Sequence, residues 1–310
     1  MPRSTVSNVR TPKSPSGKEI EKSIRNAIDL IGGLDDIISG KDLVLINPSW
    51  VAPPTDPQSA VITSPEVTKA VADIIRDFGA RPIIAESSAV GVDTENVITN
   101  SGYGALRREG YEVIDLKSTP KVTVGIEEGE VLKEVETFEL VTRADAIISV
   151  PKMKTHDQTE ITCSLKKLKG LVTDGQKRRM HRIGVFKGVV DINMLFKPRL
   201  SIVDAILCQE GLGPIFGHPV EMNLIVAGKD LVAVDSICGQ IMGYEPEEVL
   251  ITKFAADRGL GVMDNETIEL SGEPLRDMRR RFMRSVEDDP VEVDGFSREA
   301  ARCPEQATAE

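Results

Sequence analysis

The chain has 310 residues, 40% hydrophobic and 28% charged, a globular balance with room for one large α/β domain or two modest lobes. Its formal net charge of −11, with only 8 Phe, 3 Tyr and 1 Trp, argues against nucleic acid as a partner. No apolar run approaches the ~20 residues that span a bilayer, and Cys163, Cys208, Cys238 and Cys303 contain no CxxC pair, which excludes a locally encoded iron-sulfur motif.

Residues 1–17 are rich in Ser, Thr and Pro and read as a flexible N-terminal tail without the apolar core of a secretory signal. The default location is therefore the cytoplasm, and scattered cysteines fit a reducing compartment. Lys18–Ile38 has helical character, with Ile20, Ile24, Ile28 and Ile31 at spacings of three and four. Asp42–Asn47 reads as a buried strand stopped by Pro48, and the three prolines in Val51–Ser59 make a loop.

A helix starts at Ser64, a good N-cap, with Pro65 in the first turn and Val67, Ala70, Val71, Ile74, Ile75 and Phe78 on one face. Strand Pro82–Glu86 follows, and helix-then-strand at this spacing suggests a βαβ unit. Further on, Glu112–Leu116 reads as a strand, Val122–Ile126 with Val131–Val135 as a hairpin insertion, and Ala144–Val150 as another buried strand. Val185–Leu195 and Asp230–Ile241 are helical, while Leu200–Leu207 and Asn223–Ala227 are strands. The expected fold is α/β: a mostly parallel sheet flanked by helices over residues 18–275, with two lobes as an alternative. Residues 276–310 are expected to form a C-terminal helix and a mobile acidic tail.

Between Pro151 and Val190 the acidic chain carries ten Lys/Arg against three acidic residues. This island follows a buried strand, and ligands of open parallel sheets bind beyond strand C-termini. Lys152, Lys154 and His156 alternate, so in an extended segment they share one side, with Thr155 between them. A helix from about Glu160 would place Ile161, Leu165 and Leu168 on the core and Thr162, Lys166 and Lys169 at the cleft. Converging lysines at a helix start suit a phosphate or carboxylate. Gly170–Gly188, which holds Lys177 and His181, reads as a loop able to fold over an anion, and Gly211 and Gly213 would let backbone approach a ligand closely. Solvated lysines and plain turns explain the same residues more simply.

Successive blocks then resemble the domain-of-unknown-function family 362: VPKMKTH, TCSLKKLKGLV, MHRIG, SIVDAILCQEGLGPIFGHP and AGKDLVAVDSICGQIMG, in order between Asp42 and Gly261. LVLINPSW resembles a family strand ending in Lys-Pro-Asn. Two departures stand out. Lys167 replaces an Asn of the family phrase, and Ile46 stands where a Lys is common, which shifts Asn47 against the pattern. Many members carry a four-iron ferredoxin module that this sequence lacks. By analogy, the resemblance implies redox work or service to a metalloenzyme, with an external ferredoxin or metalloenzyme as partner.

Three functions follow as expectations. In the first, an enzyme binds a small anionic molecule through Lys152, Lys154, Thr155, Thr162, Lys166, Lys169, His181, Gly211 and Gly213. His156 moves a proton, with Asp204 or Glu210 as its carboxylate. In the second, His156, His181 and Glu210 (or Asp204, with Cys208) bind a divalent metal in a redox or maturation protein. The third is a non-catalytic module for an acidic partner.

Overall fold

A computed structural model of the chain describes residues 3–56 and 59–285. The apolar runs expected as strands pair in parallel. Leu43–Pro48 (β2) lies between Arg81–Glu86 (β3) and Ala146–Val150 (β7), and Val113–Asp115 (β4) adds outside β3. β7 pairs with the long strand Leu200–Glu210 (β10), whose antiparallel partner is His218–Gly228 (β11). The sheet of ten strands is mixed but mostly parallel.

Helices cover both faces. Gly17–Asp29 (α1) and Pro65–Asp77 (α2) pack on one face, where Ile24, Val67, Val71 and Ile148 are fully buried. α1 stops before Ile38 because the Gly32–Gly33 pair takes positive φ values of 94° and 82°. The α2 start is as read: Ser64 accepts from the Val67 N–H and Pro65 opens the helix. On the other face, Val185–Phe196 (α8) and the fully buried Leu231–Ile241 (α9) pack with Met153, Leu165 and Val203. A separate hairpin of Lys121–Gly125 (β5) and Glu134–Phe138 (β6) is the expected insertion, its second strand three residues later than read.

The expected flexible tail is wrong for residues 4–10. Ser4–Arg10 forms β1, antiparallel to β11 and parallel to Ile268–Gly272 (β12). Val6 is fully buried there, and Ser7 and Asn8 hydrogen-bond to the Ala27 and Glu273 carbonyls. The sequence STVSNVR alternates weakly because its polar side chains find partners inside. At the other end, helix is limited to Leu275–Met278. Residues beyond run back to β10, where the Met283 N–H donates to Glu210 Oε2 at 2.9 Å. The acidic stretch 286–310 lies outside the described residues. No described helix is long and apolar enough to cross a membrane.

Candidate anion site at the strand ends

Beyond Val150 the chain does not leave the sheet. Pro151 breaks the ladder with β2, and Lys152–His156 continues as β8, paired in parallel with β10. The expected alternation of Lys152, Lys154 and His156 is therefore real. Next comes a correction: Glu160–Thr162 is a strand (β9) antiparallel to β8, not the start of a helix. Helix begins only at Ser164 (Ser164–Lys167, α6), where Asp235 accepts the Ser164 and Leu165 N–H groups at 2.7 and 3.0 Å. The β-branched Thr159, Ile161 and Thr162 favour the strand that β8 offers.

The stretch 170–188 is also corrected, from loop to helix. Asp174–Ile183 (α7) and α8 occupy most of it, with Thr173 capping α7 through the Gln176 N–H. α7 lies over the ends of the parallel strands. Lys177 Nζ inserts among the Ser87 carbonyl, the Ser87 hydroxyl and the Ser88 carbonyl at 2.6–2.9 Å. One turn on, at the exposed rim, His181 Nε2 meets Lys169 Nζ at 2.7 Å.

Lys152 is neutralised. Its ammonium donates to Asp204 Oδ2 at 2.6 Å and to the Leu207 carbonyl at 2.9 Å, while Asp204 also accepts from the Ser64 N–H. This buried pair ties the start of α2 to β8. Neither Lys152 nor Asp204 has a charge left for a ligand, contrary to expectation. Glu210 is occupied by the Met283 N–H and lies 3.9 Å from Arg280. The carboxylate beside His156 is Asp157 instead, with Oδ1 2.8 Å from Nδ1. The same nitrogen can accept from the Gln158 N–H at 2.9 Å, one contact at a time.

Lys154 is nearly fully buried, and among the described residues its ammonium meets only the Val61 and Pro214 carbonyls, at 2.7 and 2.9 Å. Burial, with the charges of Lys152 and Lys167, pushes its pKa down to about 7. Lys166 makes no hydrogen bond or ion pair among the described residues. Its pKa is driven well down by burial and by Lys169 and Lys154. Burial also lowers Lys169 to about 8. His156, buried near Lys166, is pushed to about 3, and His181 to about 4 by desolvation and by Lys169 and Lys166. Asp157 is the carboxylate these groups share. Burial opposes its charge, but the His156 hydrogen bond and the nearby His156 and Lys166 hold its pKa below the ordinary value.

Two buried atoms beside Lys154 have no partner. Thr162 Oγ1 belongs to the β9 residue directly opposite Lys154, and Gln209 Oε1 to its β10 neighbour. A row of Lys154, Thr162 and Gln209 thus holds polar atoms that the protein does not satisfy. By contrast, the Thr155 hydroxyl is spent on the Gly211 carbonyl at 2.8 Å. A Cβ at Gly213 would collide with the Thr155 carbonyl oxygen, so this glycine serves close packing of the turn on β8, not approach to a ligand. Among the described residues, no group of three His, Cys, Asp or Glu side chains is placed to hold a metal, so the His156–His181–Glu210 set is not assembled. Cys208 is buried, its thiol pKa raised well above the ordinary value by that burial.

Sequence reasoning missed Glu86, which ends β3 and is buried. It pairs with Lys167, accepts from Asn47 Nδ2 at 2.6 Å, and lies near Lys177. Burial raises the Glu86 pKa against the pull of both lysines and lowers that of Lys167 against the pull of Glu86. An acidic residue closing an apolar strand was the available signal. Ile46 is fully buried in the core, so the polar position of this strand is Asn47, immediately before Pro48.

Comparison with known proteins fits this arrangement. The family described as Domain of unknown function (DUF362) matches residues 44–240, from β2 through most of α9. The chain belongs to this family. A thylakoid-associated protein of Synechocystis sp. is 28% identical to it over 267 residues, covering 83% of this chain and 80% of that protein. Among solved structures, the lactate racemase apoprotein from Thermoanaerobacterium thermosaccharolyticum superposes with a TM-score of 0.48 at 12% identity. That match covers 78% of this chain and spans 57% of the length of the other. The DUF362 match takes in β8, α6 and α7, which carry Lys154, Lys166 and His181, and the short turn after α6 that carries Lys169.

Proposed function

We propose that this DUF362 protein binds a small phosphorylated or carboxylated molecule at the ends of its parallel strands, between Lys154, Lys166, Lys169 and the α7 histidine, His181. The observation that carries the reading is Lys166. It is partly buried, makes no hydrogen bond or ion pair among the described residues, and sits near Lys154 and Lys169, which make no ion pair there either, with Asp157 as the carboxylate whose charge it feels. Holding like charges together costs folding energy, and an anion bound among them offsets that cost.

Bound anion would raise the pKa of every lysine and histidine around it. His156 and Asp157 are then positioned to move a proton at the ligand, with Asp157 as the orienting carboxylate. The test is thermal denaturation of the full chain with inorganic phosphate and with citrate, against chloride at matched ionic strength. Specific stabilisation is expected, lost in Lys166→Gln. Equal melting in all three salts would remove the reading.

A further inference from the structure

A cavity of about 700 Å³ opens at the other end of the strands, where β10 begins and β11 ends. It lies between α6, α8, the start of α9 and the loop that joins β5 to β6. No charged residue of the strand-end site lines it. Its wall is preformed. Asp191, fully buried, accepts the N–H groups of Glu130, Val131 and Leu132 at 2.8 Å, and Arg258 holds Glu130. Loop and helices are therefore fixed relative to one another before anything binds.

Asn193 lines this cavity at 3% exposure. Its Nδ2 donates to the Leu165 and Val189 carbonyls at 2.9 and 2.8 Å, which fixes the orientation of the amide, because a flipped group would set oxygen against both carbonyls. Asn193 Oδ1 is then a buried acceptor with no partner. Such an atom costs free energy until a donor reaches it. Around it, Leu165, Leu231 and Val232 give a buried apolar floor.

The charges on the lining separate into two kinds. Lys229 is committed to Asp36, and Arg258 to Glu130. Lys197, Glu127 and Glu128, exposed at the rim, make no ion pair among the described residues. We infer that this cavity is a second binding site, for an amphipathic zwitterion of the amino-acid or short-peptide class. The ligand's ammonium would face Glu127 and Glu128, its carboxylate Lys197, and its apolar side chain the leucine and valine floor. A cavity of this size suits a small molecule, and a few placed polar groups on an apolar lining give orientation.

The test is calorimetric titration of the full chain with L-leucine and with L-leucyl-L-leucine. Binding of either is expected, and whichever is tighter assigns the class, amino acid or peptide. 4-Methylpentanoate and isoamylamine, each lacking one charge, should bind weaker by about fivefold or more, the worth of one partly exposed charge pair. Lys197→Gly should weaken the zwitterion similarly while remaining folded, because Lys197 sits at φ 43°, ψ 62°, a conformation glycine adopts freely. Glu127→Gln with Glu128→Gln provides the complementary loss. Absence of binding by both probes overturns the assignment. So does equal affinity for the uncharged-end analogues, or unchanged affinity in Lys197→Gly.

Discussion

Lys167 Nζ donates to Asn47 Oδ1 at 2.9 Å, and both side chains converge on the buried carboxylate of Glu86. Lys167 and Ile46 are the two positions expected to depart from the family's pattern; Ile46 is buried in the core, and its neighbour Asn47 meets Lys167 instead. The charge facing Glu86 comes from α6.

Removing that charge alone should therefore be severe. Lys167→Met leaves Glu86 buried with only Lys177 nearby, and a loss of roughly 3–5 kcal/mol is expected, as for breaking a buried pair. The exchanged variant, Asn47→Lys with Lys167→Asn, should recover most of it. Chemical denaturation of the three proteins checks this. Additive losses in the exchanged variant would mean that Glu86 cannot take its charge partner from β2.

Much of the fold was legible because burial and periodicity agree in β2, β3, β7, α2 and α9. β1 was not, because Ser7 and Asn8 look solvent-facing until their partners, 20 and 265 residues away in sequence, are known. The site was half legible. Lys154, Lys166, Lys169 and His181 do gather, but Lys152, Asp204, Glu210 and Thr155 turn out to be spent on the protein itself. Spacing reports which residues share a side. It does not report which charges are already neutralised, and that difference separates Lys152 from Lys154.

β1 gives the second prediction. Deleting residues 1–10 would strip a strand hydrogen-bonded on both sides and expose the edges of β11 and β12. The truncated chain should be insoluble, or melt more than ~10 °C below the full chain. Unchanged melting would mean that β1 contributes no more than a tail does.

Gly213 gives the third. An alanine there would drive Cβ into the Thr155 carbonyl, which belongs to backbone held in β8 and cannot yield as a side-chain tip would. Overpacking of this kind costs about 1–3 kcal/mol. Because the displaced strand carries Lys154 and His156, anion-induced stabilisation should fall along with the melting temperature. Gly175→Ala, inside α7 where the added carbon meets nothing closer than 3.9 Å, is the control: it should leave anion-induced stabilisation unchanged and should not lower the melting temperature.

The last prediction concerns pH, and Lys154 sets its sign. Its folded pKa, about 7, lies below the ordinary value of 10.5. Between those values the unfolded chain binds the proton and the folded chain does not. Stability should therefore rise with pH from about 7 toward 10 on account of this group. Anion binding should run the other way, since the ligand needs the charged ammonium, and phosphate or citrate affinity should increase as pH falls from 8 to 6. Lys154→Met removes the titrating group and should flatten both dependences. Denaturation and ligand titration across this range, with wild type and variant side by side, separate Lys154 from its neighbours. If the variant keeps the wild-type slope in affinity, the proton that governs binding belongs elsewhere, with Lys169, at about 8, the next group to test.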